Sequence, residues 1–222
     1  MELKGLKAIF LGDSITEGVG TSSPDKVYWR VLGESTGMQT VGYGVSGTRV
    51  ARQTQKSVPE SFDLDFNLRA ESMDKDADII CVFGGTNDYG HGQAPIGSPQ
   101  DTDVYSFYGA LDHLFSYLLT TYPDKFIFFM TPLRRWNEED PRGDGNKPPM
   151  LPLKGYVDIM REVAERYAIP VLDLYASFGV HPRIPIQRET YMPDGLHPND
   201  AGNARLARMI ETFLNTHYVR PI

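Results

Sequence analysis

The 222-residue chain is 41% hydrophobic and 23% charged, the length and composition of a globular domain with a full core. Its formal charge of −7 and its lack of a basic stripe argue against a nucleic-acid partner, since Arg134-Arg135 runs directly into Glu138-Glu139-Asp140. A lone cysteine, Cys81, rules out an internal disulfide, and no stretch approaches the ~18 apolar residues of a membrane span.

The chain alternates strand-like and helix-like segments. Lys7–Leu11 reads as the first strand, Val27–Ser35 as a helix stopped by Gly37, and Gln39–Tyr43 as a second strand. Residues 51–73 fit no single pattern: alternation over Phe62–Leu68 suggests a strand, while the acidic density suggests a loop running into a helix. Asp78–Phe83 is continuously apolar, as a strand covered on both faces would be, and Cys81 reads there as a small buried residue. Tyr105–Leu119 repeats with a helical period, Phe126–Met130 is another buried strand, and Tyr156–Tyr167 is again helical. Pro170–Leu174 reads as the fifth strand. Asn199 is a plausible N-cap for a last helix with Leu206, Ile210, Phe213 and Leu214 on its core face. The alternation predicts one domain over residues 1–222, a three-layer α/β/α arrangement on a five-stranded parallel sheet in flavodoxin-like order. The N-terminus carries no signal-peptide core, which sets the expectation of a cytoplasmic protein.

Two long irregular segments, Tyr89–Asp103 and Pro132–Pro152, follow strands and should emerge at the C-terminal edge of the sheet, where open α/β folds bind ligands. Four short blocks meet that edge: Gly12-Asp13-Ser14-Ile15-Thr16, Gly44-Val45-Ser46-Gly47-Thr48, Gly84-Gly85-Thr86-Asn87-Asp88, and Asp194-Gly195-Leu196-His197-Pro198. Serine, histidine and aspartate are the parts of a nucleophilic hydrolase, here at opposite ends of the chain. Each block also has a plainer reading. Asp13-Ser14 and Asn87-Asp88 suit helix caps, the glycines of 44–47 suit turns, and Asp194-Gly195 suits a surface turn with His197 as a capping residue.

The four blocks in this order resemble the SGNH hydrolases, also called the GDSL esterase family, from residue 7 to about residue 214. The resemblance implies a carboxylic ester hydrolase with Ser14 as nucleophile, His197 as general base and Asp194 orienting it. It implies an oxyanion hole of the backbone N–H groups of Ser14 and Gly47 and the side-chain amide of Asn87. No cofactor and no metal are implied. Ile15 stands where that family commonly has leucine, and Gly42 where it commonly has asparagine. A small ester substrate is expected, with short acyl groups and carbohydrate acetates favoured by the mixed stacking and hydrogen-bonding groups of the 132–152 loop. Asp13, Tyr89, His91, Arg134 and Trp136 are the candidate substrate contacts. Tyr89 is expected within contact of the ester, and Trp136 over the leaving group. A lysophospholipase or thioesterase of the same family, and a catalytically idle carbohydrate-binding module, are the alternatives. Asp13, Asp88 and Asp194 invite a metal-dependent phosphoesterase reading, but of five histidines only His91 and His197 lie in plausible positions.

Overall fold

The computed structural model describes residues 3–145 and 147–219. In chain order it forms β1 (Lys7–Gly12), α1 (Ser14–Glu17), α2 (Tyr28–Thr36), β2 (Gln39–Gly44), α3 (Phe66–Ala70), β3 (Ile79–Phe83), α4 (Thr86–Gly90), α5 (Phe107–Thr121), β4 (Phe126–Met130), α6 (Leu153–Arg166), β5 (Val171–Leu172), α7 (Leu174–Ser177), α8 (Pro185–Tyr191) and α9 (Asp200–His217). The strands make one parallel sheet in the order β2-β1-β3-β4-β5, the flavodoxin-like order.

Successive side chains of a strand point to opposite faces, and both faces here are apolar. Ile9, Leu11, Ile80, Val82, Ile127 and Phe129 join a core with Phe66 of α3, Leu111 and Phe115 of α5, and Met160 and Val163 of α6. Ala8, Phe10, Ile79, Cys81, Phe128 and Met130 join a second core with Leu32 of α2 and with Leu206, Ile210 and Phe213 of α9. The result is three layers, α/β/α. Cys81 is fully buried in the second core, and burial pushes its thiol well above the usual range. Among the described residues, no helix is long and apolar enough to cross a membrane.

The structure departs from the sequence pattern in three places. The fifth strand is only Val171–Leu172, because Asp173 accepts the Ala176 N–H at 3.2 Å and turns the chain into α7. Phe62–Leu68 is not a strand: Glu60–Asp63 is a 3-10 turn, and Asp65 caps α3 by accepting the Leu68 N–H at 3.0 Å. The short helices α4, α7 and α8 lacked a full period of apolar residues to announce them. Where helices are long, the caps match expectation: Asn199 accepts the Gly202 N–H at 3.1 Å at the start of α9.

Phe128 lies in the middle of β4, fully buried, with its ring 5.3 Å from that of Phe213. Phe128→Ala should destabilise the protein by about 3–5 kcal/mol through lost transfer energy and the cavity left behind. Urea unfolding checks this, with a cost under about 1 kcal/mol pointing to collapse of α9 onto the sheet.

Candidate active site

The register of β1 assembles the site. Gly12 pairs with Gly44 on one side and Phe83 on the other. The segments that leave β1, β2 and β3 therefore start at one level of one edge, and they carry Ser14, Gly47 and Asn87. Ser14 is the first residue of α1, 7% exposed, and the first-turn N–H groups of a helix have no intrahelical acceptor. Asp13 caps that helix by accepting the Ile15 N–H at 3.1 Å and is itself buried. The indole N–H of Trp29 donates to Thr16 O at 2.9 Å and ties α1 to α2.

The candidate base comes from the far end of the chain. Asp194 Oδ1 accepts the backbone N–H groups of Leu196 and His197 at 2.9 and 2.7 Å, and its Oδ2 lies 2.6 Å from His197 Nδ1. His197 Nε2 lies 3.0 Å from Ser14 Oγ. The turn requires φ +80° at Gly195, and a Cβ there would meet the Trp136 side chain at 2.8 Å. Burial alone would raise the Asp194 carboxyl, but the imidazole and the two backbone donors hold it near 2. It is therefore ionised across the physiological range, which places the proton on Nδ1 and leaves Nε2 to accept. Asn203 locks the turn to the rest of the fold: its amide donates to Pro198 O at 2.8 Å, and its oxygen accepts the Tyr28 N–H at 2.9 Å.

Gly47 has φ +73°, and a Cβ there would meet the Phe62 ring at 2.1 Å. Asn87 is 7% exposed and donates one amide hydrogen to Thr48 O at 3.0 Å, so the 44–48 segment and α4 are joined at the oxyanion candidates. Three residues that sequence reasoning did not single out for this work hold the assembly. The buried Asp88 carboxylate accepts the Val50 and Ala51 N–H groups, each at 2.9 Å. Arg69 of α3 donates to Tyr43 O at 2.6 Å, to Gly12 O at 2.9 Å and to Thr48 Oγ1 at 2.8 Å, pinning the ends of β1 and β2. Lys147 donates to Asp88 O at 3.0 Å and to the Tyr156 hydroxyl at 3.2 Å, and burial lowers its ammonium to about 8. Only Asp88, inside the Gly84–Asp88 block, carried a sequence signal. Arg69 and Lys147 sit in stretches with no motif.

The candidate substrate contacts divide. Tyr89 does not reach the ester edge: it is fully buried, its hydroxyl donates to Asn137 O and Asp140 O, and its ring packs 6.0 Å from Tyr156. The i+2 offset from Asn87 turns it to the opposite side of α4, into the core. Asp13 is likewise a buried cap rather than a surface contact. Arg134 pairs with Glu138 at 2.6 Å and lies 4.2 Å over the Tyr175 ring, beside α7. Trp136 is 55% exposed, donates its backbone N–H to Gly195 O at 3.1 Å, and lies against the turn that carries His197. His91 lines a cavity with Arg49 and Phe62. The acidic residues of the metal reading have separate employments: Asp13 caps α1, Asp88 clamps residues 50 and 51, and Asp194 holds His197. Among the described residues no group of three or more His, Cys, Asp or Glu side chains is placed to hold a metal ion.

Burial pushes the Asp13 carboxyl up to about 6, against the pull of the Ile15 N–H, His197 and Arg69. Folding therefore takes up a proton between the ordinary carboxylate range near 4 and about 6. The contribution is fullest at low pH and is lost as pH rises through about 6. Asp13→Asn keeps a capping oxygen and removes the titration. That variant should gain on the parent as pH rises from about 4 to 7, by up to about 3 kcal/mol. Urea unfolding across the range reads the difference, and a pH-independent offset would count against a perturbed Asp13.

The comparisons with known proteins agree with this architecture. The model of the GDSL-like lipase/acylhydrolase family matches residues 10–205. One solved structure is 32% identical over 99% of this chain and 100% of its own, with a TM-score of 0.84. A Lactobacillus plantarum protein is 28% identical over 97% of this chain and 99% of its own, with a TM-score of 0.83. An acetyl xylan esterase is 20% identical over 94% of this chain and 100% of its own, with a TM-score of 0.63, a likeness of fold. No curated protein sequence matches. With the family model spanning all four blocks and most of the chain, this protein belongs to the GDSL-like lipase/acylhydrolase family.

Proposed function

We propose that the protein is a serine esterase that hydrolyses short-acyl carboxylic esters through an acyl-enzyme on Ser14, with carbohydrate acetates as the natural class. The observation that carries the reading is the continuous line from Asp194 Oδ2 to His197 Nδ1 at 2.6 Å and from His197 Nε2 to Ser14 Oγ at 3.0 Å. A serine hydroxyl attacks only as its proton leaves, and Nε2 stands where it can take that proton. Ser14 Oγ adds to the ester carbonyl, and the charge moves to the carbonyl oxygen. Asn87 has two amide hydrogens and spends one on Thr48 O. The other is available to the oxyanion, together with the Ser14 and Gly47 N–H groups. The intermediate collapses, the alkoxide takes the proton from His197 and departs, and a water activated by the same imidazole releases the acid. No step calls for a cofactor.

The chemistry of the surroundings supports a small acyl group. The cavities that adjoin the Gly47 and Gly195 segments contain Gln53, Ser57 and His91 on one side and Asn137, Asp140 and Arg183 on the other. The apolar groove, with Leu172, Met209 and Phe213, runs instead along α9. The acetyl xylan esterase of similar fold is consistent with the same class.

Ser14→Ala should lower kcat on p-nitrophenyl acetate by roughly 10³-fold or more with Tm retained. Near-parental turnover in a clean preparation would remove Ser14 as the nucleophile. Asn87→Ala should cost on the order of 10²–10³ in kcat with a much smaller change in KM. A rise in KM at constant kcat would make Asn87 a ground-state contact instead.

A further inference from the structure

The three candidate oxyanion donors come from three separate segments, and one side chain reaches all three. Arg69 Nη2 donates to Gly12 O at 2.9 Å, two residues before Ser14, and Nη1 donates to Tyr43 O at 2.6 Å near the end of β2. The same Nη2 donates to Thr48 Oγ1 at 2.8 Å. That hydroxyl passes its own hydrogen to Val45 O at 2.7 Å, closing the turn that holds Gly47 at φ +73°. Thr48 O in turn accepts the Asn87 amide at 3.0 Å. The Asn87 segment is also reached from its other side. The guanidinium lies 4.8 Å over the Phe66 ring, and a Cβ on Gly84, three residues before Asn87, would meet that ring at 2.4 Å.

The arrangement suits a guanidinium. Its N–H groups form a planar fork with fixed directions, whereas an ammonium is a single point of attachment. The fork is not spent on an ion pair. Among the described residues its hydrogen bonds all go to oxygens of the backbone and of Thr48, the last from Nε to Leu64 O at 2.9 Å. Burial lowers the group to about 10, with Asp13, Asp65 and Glu17 pulling the other way, so it is charged at physiological pH and its bonds are charge-assisted. The helix α3 does not depend on those bonds. Asp65 caps it and pairs with Arg52 at 2.7 Å, and Asn67 donates to Val50 O at 3.0 Å and to Ala110 O at 3.2 Å. Its neighbours anchor the helix, and Arg69 holds the edge of the sheet.

An oxyanion is stabilised only when its donors lie about 2.7–3.1 Å from one point, which is occupied only after charge has moved to the carbonyl oxygen. The strand ladder does not fix that spacing by itself. Ser14, Gly47 and Asn87 all lie beyond the last paired residues, Gly12, Gly44 and Phe83. We propose that Arg69 is the positioning residue of the oxyanion site. Its guanidinium sets the spacing of the Ser14 N–H, the Gly47 N–H and the Asn87 amide, and through that spacing the rates of both acyl-transfer steps. The inference rests on the serine-esterase reading but is tested separately from it.

Arg69→Met keeps an unbranched stem over Phe66 and removes every donor. On p-nitrophenyl acetate it should lower kcat by roughly 10²-fold and change KM by less than about threefold, because the donors matter most once charge has developed. Trifluoroacetone gives a second reading. Ser14 Oγ bonds to its carbonyl carbon, the serine proton passes to His197 Nε2, and the carbonyl π pair becomes an oxyanion on the same donors. Its Ki should rise by about the factor by which kcat/KM falls. In the Arg69→Met background Asn87→Ala should cost less than about tenfold in kcat, against 10²–10³ in the parent, since a donor already out of place has little left to lose. A residue that only stabilised the fold would lower Tm and leave kcat well below Tm, the Ki and the full cost of Asn87→Ala unchanged. Any of those three results in folded Arg69→Met protein overturns the assignment. Should that variant fail to fold, Thr48→Val severs one link alone, replacing a hydroxyl with a methyl and leaving the bonds to Gly12 and Tyr43. It should lower kcat by about tenfold with KM held, and an unchanged kcat overturns the assignment. Failure of the esterase reading itself would appear elsewhere, as p-nitrophenyl acetate turnover that survives Ser14→Ala.

Discussion

The pairing of Gly12 with both Gly44 and Phe83 is the constraint from which the rest of the site follows. A parallel sheet sends the C-terminal ends of its strands to one edge, and a common register sets them at one height there. The chain runs from β1 to β2 on one side and then crosses to β3 on the other, so the strand order reverses between β1 and β3. Such a reversal opens a crevice, because the connecting segments diverge to opposite faces. Ser14 and Asn87 follow the two strands that border it.

Joining the two ends of the chain required polar side chains that bond to backbone groups distant in sequence, the buried Asn203 among them. Asn203 holds the His197–Pro198 turn to α2, and the Asp200 carboxylate accepts the Ser22 N–H at 2.8 Å, closing the loop after α1 onto the start of α9. Asp88 and Arg69 act in the same way behind the 44–51 segment. A buried charge is costly unless it is hydrogen-bonded, and an ionised group with several backbone partners recovers that cost while fixing the position of each partner. The site is held by polar side chains that reach the ends of β1 and β2, the start of α2 and the 48–51 segment, beyond what the strand ladder alone fixes.

The two long loops divide into supports and surfaces. Arg135, buried, donates to Thr86 O at 3.2 Å and pairs with Asp144, so the loop after β4 is fastened to α4. Tyr89 and Lys147 complete that attachment from either side. Trp136 faces outward against the Gly195 turn, and His91 packs half-buried against Phe62. Asp144 borders the cavities on both sides.

The fold was legible in the chain because its signals are local and repeated. Short apolar runs such as Ile79–Phe83 and Phe126–Met130 read as doubly covered strands, and the long amphipathic helices declare their core faces by period. The four blocks were legible for a related reason, since turn glycines and capping residues are dictated by the backbone they must shape. The sequence by itself therefore determined the layers, the sheet and the segments that reach its edge. Tertiary structure decided the rest. The length of β5 was settled by a cap at Asp173, and Phe62–Leu68 became a turn and a helix once Asp65 found the Leu68 N–H. Tyr89 went to the core and His91 to the wall of a cavity, a difference of direction that spacing after a motif does not reveal. Arg69, Lys147 and Asn203 act on groups distant in sequence, and a long-range hydrogen bond leaves no periodic trace in the residues that make it.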